Sequence, residues 1–136
     1  MQWNGKKVAT VFANRMLIFK KSINQIPVGA LTHLMFSFAY ISPGDFNIVP
    51  MDDLPEKLFR DFAALKKKNS ALKIMVALGG WTFNDPGPTQ TVFHDVCASS
   101  ASRAKFIANL LSFFRQFGFD GVDFDWVSCV CWQWMS

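Results

Sequence analysis

The sequence predicts an α/β fold of about four parallel strands with helices between them, and three observations carry that prediction. Four short apolar runs recur along the chain, and helical apolar patterns lie between them. The runs are continuously apolar rather than alternating, as suits a parallel sheet covered on both faces. A composition of 51% hydrophobic and 18% charged residues over 136 positions is enough to build the core of one domain. Strand and helix in alternation imply right-handed crossovers, and hence either an open doubly wound sheet or part of a barrel. Pattern alone leaves both open.

The first strand is expected over Val8 to Ala13, a short and partly β-branched run. Lys20 to Gly29 follows, with room for one short helix near Ser22 to Gln25. Leu31 to Ile41 reads as the second strand, closed by Ser42-Pro43-Gly44. Pro55, at a first-turn position behind Asp52 and Asp53, opens a helix with Leu58, Phe59, Phe62, Ala63 and Leu65 on one face. That helix ends at Lys66-Lys67-Lys68, where cations suit the helix dipole. Leu72 to Leu78 is the third strand and runs into Gly79-Gly80. A second helix starts at Ser99 to Ser102, presents Phe106, Ile107, Leu110, Leu111, Phe113, Phe114 and Phe117, and stops at Gly118. Phe119 to Trp126 is the fourth strand. Trp126 and the many phenylalanines read as core.

Charge and cysteine content exclude several function classes. The net charge of +4 comes largely from Lys20-Lys21 and Lys66-Lys67-Lys68. No aromatic platform is interleaved with these lysines, so they read as a solvated face and not a nucleic-acid surface. No apolar run reaches 18 residues, which argues against a membrane span, and Met1 to Lys7 has no apolar stretch behind its lysines to form a secretory signal. Cys97, Cys129 and Cys131 cannot all pair within one chain. Cys129-Val130-Cys131 is too tight for the usual metal spacing, and neither His33 nor His94 lies at a zinc-finger distance, so no metal site is expected. His33, inside an apolar strand, reads as a hydrogen-bonded core residue.

Chemistry concentrates in Phe119-Asp120-Gly121-Val122-Asp123-Phe124-Asp125-Trp126, where three carboxylates interrupt an apolar strand. Burying such groups costs several kcal/mol unless they are paired, hydrogen-bonded or neutralised. Asp123 and Asp125 are two residues apart, so a strand projects both to one face, with Val122 and Phe124 toward the helices. From the residues alone, such a pair serves as a structural couple, a magnesium site or a catalytic pair.

Asp-Gly-Val-Asp-Phe-Asp-Trp resembles the fourth-strand signature of glycoside hydrolase family 18, D-x-x-D-x-D-x-E. Lys73-Ile74-Met75-Val76-Ala77-Leu78-Gly79-Gly80-Trp81-Thr82-Phe83 resembles the family's third-strand motif, S-x-G-G, and the order of the two motifs is kept. Leu31 to Tyr40 and Trp81 to Gly87 read most like fungal chitinases, and the likeness spans residues 7 to 126. It implies a (β/α)8 barrel, of which this chain would hold the first half, and hydrolysis of β-1,4-linked N-acetylglucosamine with retention. The substrate's acetamido oxygen then serves as nucleophile, an exception to the two-carboxylate scheme. Asp125 would orient the acetamido group and stabilise the cationic intermediate, and Asp123 would sit behind it. Asp120 would be structural. Trp81, Gly79 and Gly80 would line the chitin or chito-oligosaccharide site, with Gly79 and Gly80 read equally well as strand terminators. The family implies no cofactor and is usually secreted.

Two positions depart from the family pattern. Val127 stands where the proton-donating glutamate belongs, and Ala77 stands where a serine hydroxyl would help support Asp123. Residues 127–136 show no likeness to the family, so the chain divides into 1–126 and a tail. An incomplete barrel with bare strand edges and an uncovered inner face is expected to self-associate. The sequence therefore predicts a chitinase-like chain that does not hydrolyse chitin, or else a catalytically dead chitin-binding lectin.

Overall fold

A computed structural model of the chain describes residues 2–3, 6–12, 22–51 and 54–127. Lys20, Lys21, Asp52, Asp53, Cys129, Cys131 and the rest of 128–136 lie outside the described residues. Among the described residues six strands form one sheet: β1 (Gln2–Trp3), β2 (Lys6–Phe12), β3 (His33–Ile41), β4 (Ile48–Pro50), β5 (Lys73–Gly79) and β6 (Gly121–Asp125). Their order is β1-β2-β3-β5-β6, with β4 paired antiparallel to the end of β3. The expected four parallel strands are β2, β3, β5 and β6, side by side in chain order. β1 and β4 are additions that sequence did not disclose, each too short to carry a periodicity.

Three α-helices among the described residues flank the sheet: α1 (Lys57–Ala63), α2 (Val92–Cys97) and α3 (Ser100–Phe117). α1 is shorter than expected and tightens into a 3₁₀ turn over Ala64–Lys67, but its apolar face is the expected one, with Phe59, Phe62 and Leu65 each 1% exposed. The hint of helix after Lys20 is a 3₁₀ turn over Ile23–Gln25, capped by Ser22. α3 has the ends that its sequence announces. The Ser99 hydroxyl accepts the Ser102 amide at 3.0 Å, and Gly118 closes the helix at φ 81° with its amide on the Phe114 carbonyl. A cap of this kind contributes about 1 kcal/mol.

The core lies between the sheet and these helices and is largely phenylalanine. Phe36 of β3 sits 5.0 Å from Phe59 and 5.1 Å from Phe62, and Phe59 in turn meets Phe113 at 5.0 Å edge to face. Phe119, just ahead of β6, joins the cluster through Phe113 at 5.0 Å. Each such ring contributes roughly 1.5–3 kcal/mol by burial. α3 departs from expectation on one flank: Ile107 and Leu111 are exposed while Phe106, Leu110, Phe113 and Phe117 are buried. Phe124 and Trp126 are also exposed, which corrects the reading of Trp126 as core. β6 pairs with β5 on one side and with no other strand among the described residues, so no described strand lies beyond them. No helix among the described residues is long and apolar enough to cross a membrane.

Candidate functional site

Parallel pairing fixes which side chains share a face. Ser37, Ala77 and Asp123 are in register across β3, β5 and β6, and Asp125 is opposite Gly79. Phe36, Ile74 and Val76 precede this row by one residue or three and face the helices, so Asp123 and Asp125 occupy the other face together. That arrangement is the one expected from their spacing. Phe124 takes the helix side, its ring 6.0 Å from Phe106.

The two glycines at the end of β5 have little alternative. Gly79 has φ 102° and Gly80 φ 90°, in the region that favours glycine. A Cβ at Gly79 would lie 2.6 Å from the Asp125 carbonyl oxygen and 2.8 Å from the Phe93 ring, and one at Gly80 would meet the Phe38 ring at 3.0 Å. With no side chain in the way, the Gly80 amide donates to the Asp125 carbonyl at 3.0 Å and ties the two strand ends together. Trp81 follows directly and is 63% exposed, so its indole stands free beside the end of the strand that carries Asp125. Tyr40 and Thr82 share a hydroxyl hydrogen bond of 3.2 Å at the same end.

Asp120 differs from the other two carboxylates. Its carboxylate lies 2.7 Å from Lys66 Nζ and accepts the Ile74 amide at 2.8 Å, and its own amide donates to the Ile74 carbonyl at 2.7 Å. Partial burial pushes its pKa upward, yet the Lys66 and Ile74 hydrogen bonds and the Lys66 and Lys73 charges outweigh that and hold it below the ordinary value. Lys66 also donates to the Gly118 carbonyl at 2.7 Å, which binds the end of the first helical segment to the turn before β6.

Asp123 is exposed and Asp125 half-buried, and neither has a side-chain hydrogen bond or ion pair among the described residues. Water can solvate both, so the compensation that a buried strand demands is not needed here. No group of three or more His, Cys, Asp or Glu side chains converges among the described residues to hold a metal. Val127 lies two residues beyond Asp125, past the end of β6, and is half-buried. His33 is half-buried with Nδ1 3.0 Å from Thr32 Oγ1, and Cys97 is exposed and free.

Two residues at the site escaped the sequence reading. Phe93 of α2 forms the floor under Gly79 and stacks on Trp126, centroids 5.3 Å apart at 21°. Its signal was the spacing of Val92, Phe93 and Val96, too short to stand out. Ser37 is the other: it is 1% exposed, precedes a cis peptide bond to Phe38, and its hydroxyl has no hydrogen-bond partner among the described residues.

Comparison with known proteins gives a consistent result. Residues 5–130 match the family described as glycosyl hydrolases, family 18. Over 95 residues the chain is 41% identical to chitotriosidase-1 of Mus musculus, covering 70% of this chain and 19% of that protein. It is 36% identical over 105 residues to probable chitinase 10 of Drosophila melanogaster, covering 75% of this chain and 4% of that one. Among solved structures, the second catalytic domain of the Group II chitinase of Ostrinia furnacalis superposes with a TM-score of 0.75 at 26% identity, over 89% of this chain and 32% of that one. Human YKL-39, described as a pseudo-chitinase with retained chitooligosaccharide binding, superposes with a TM-score of 0.72 at 31% identity over 89% and 32%. The chain thus spans less than a quarter of these curated relatives and about a third of these solved chains.

Proposed function

We propose, from the premise that the chain belongs to glycosyl hydrolase family 18, that it is a chitinase-like segment which keeps the family's inner carboxylates and does not itself hydrolyse chitin. One observation carries the reading: Asp123 and Asp125 share the face away from the core, Asp125 ends its strand against Gly79, and the second residue beyond it is Val127. In the family's reaction the leaving oxygen takes a proton from a glutamate at that position, and valine has none to give. General acid catalysis of this kind is worth a factor of roughly 10² to 10⁴. Asp125 would still orient a sugar's acetamido group, with Asp123 behind it and Asp120 holding the strand. The fungal type of the parent and its secretion belong to the same proposal, and rest on the Leu31–Tyr40 and Trp81–Gly87 stretches and on the family's habit.

A second reading is favoured by Trp81. An indole 63% exposed beside the site is placed to stack on a sugar ring, so chito-oligosaccharide binding without turnover follows naturally. Pull-down on insoluble chitin separates the two. Retention above an albumin control supports a lectin-like chain, and none supports a segment that has lost binding along with catalysis.

A further inference from the structure

We propose that the Ser37 hydroxyl is a positioning group for Asp123, joined to its carboxylate by one water molecule seated over the Ala77 methyl. A hydroxyl shut away from solvent without a partner costs about 1–3 kcal/mol, so a native fold gives it one. Ser37 is 1% exposed and its Oγ has no partner among the described residues. Its row ends on the β2 side at Phe12, and on the β5 side it runs through Ala77, which has no polar side-chain atom, to Asp123, whose carboxylate has no partner among the described residues.

Distance favours a single bridge. Two strand spacings put the Ser37 and Asp123 backbones about 9.6 Å apart. Once both side chains have reached into that span, roughly two hydrogen bonds of about 2.8 Å remain. The water would donate to Asp123 and accept from Ser37, and Ala77 puts only a methyl group between them. A serine at 77 would fill that space with its own hydroxyl, so alanine at 77 and serine at 37 form one arrangement. The consequence for sugar binding rests on the function proposed above, but the bridge itself does not.

The test has two arms, both on the full chain. A high-resolution crystal structure should show a water within hydrogen-bond distance of Ser37 Oγ and an Asp123 carboxylate oxygen. A Ser37 hydroxyl bonded elsewhere, or a row closed by apolar atoms, overturns the proposal. The second arm is a double-mutant cycle in urea. Ser37→Ala should raise the unfolding constant about fivefold in the native background and by less than twofold in Asp123→Ala, while Ser37→Thr keeps the hydroxyl and restores most of the loss. Equal effects in both backgrounds, or a Ser37→Ala chain more stable than the native one, contradict the bridge. Neither arm uses a sugar, so failure of chitin binding leaves both readable.

Discussion

Asp125 ends β6 with its carbonyl oxygen directly above Gly79, so close that a Cβ on the glycine would sit 2.6 Å from it. The glycine is therefore demanded by space as well as by its φ of 102°. Gly79→Ala should lose about 2–4 kcal/mol, the sum of a strained backbone and an overpacked contact. Urea denaturation measures it, and a loss below about 1 kcal/mol would show that the strand ends yield easily.

The Lys66–Asp120 pair predicts a pH dependence with a definite sign. Asp120 has its folded pKa lowered from the ordinary 3.8. Its stabilisation is therefore complete above pH 3.8 and is lost as pH falls below that value through the folded pKa. Asp120→Asn should cost about 1 kcal/mol at pH 7, modest because the pair is partly exposed. Urea midpoints of the two chains should converge as pH drops below 3.8; a constant gap would place the effect in packing rather than charge.

Trp81 and Phe93 separate binding from folding. Trp81→Ala should leave the thermal midpoint nearly unchanged, since the ring is 63% exposed, while retention on chitin falls to the albumin level. Phe93→Ala should cost about 3–5 kcal/mol, because that ring supports Gly79, Phe83 and Trp126 at once. Similar midpoint losses for the two would put Trp81 in the core.

Self-association should follow from the side of β6 that carries no partner strand among the described residues. Ile107, Phe124 and Trp126 line an apolar groove of about 420 Å³ between α3 and β6. Size-exclusion chromatography should show the chain larger than a monomer, and Phe124→Lys should shift it toward the monomer. A compact native monomer with cooperative melting contradicts this.

Much of the fold was legible because its signals were long. α3 declared both caps and most of its buried face, Ile107 and Leu111 excepted, and the four parallel strands stood out as apolar runs between turns. The paired facing of Asp123 and Asp125 followed from strand periodicity alone. Shorter elements did not show: β4 has three residues and α2 six, and tertiary contacts hold them more than local pattern does. Exposure of Phe124 and Trp126 was hidden for a different reason, since sequence reports apolarity and not whether a neighbouring strand arrives to cover it. Ser37 was illegible because a serine in an apolar strand announces neither its burial nor its missing partner.

The most direct test of the central claim is hydrolysis of a fluorogenic chitobioside by the purified chain. With Val127 in place of a proton donor, the rate should equal that of buffer. Clear turnover that Asp125→Asn abolishes would contradict the account.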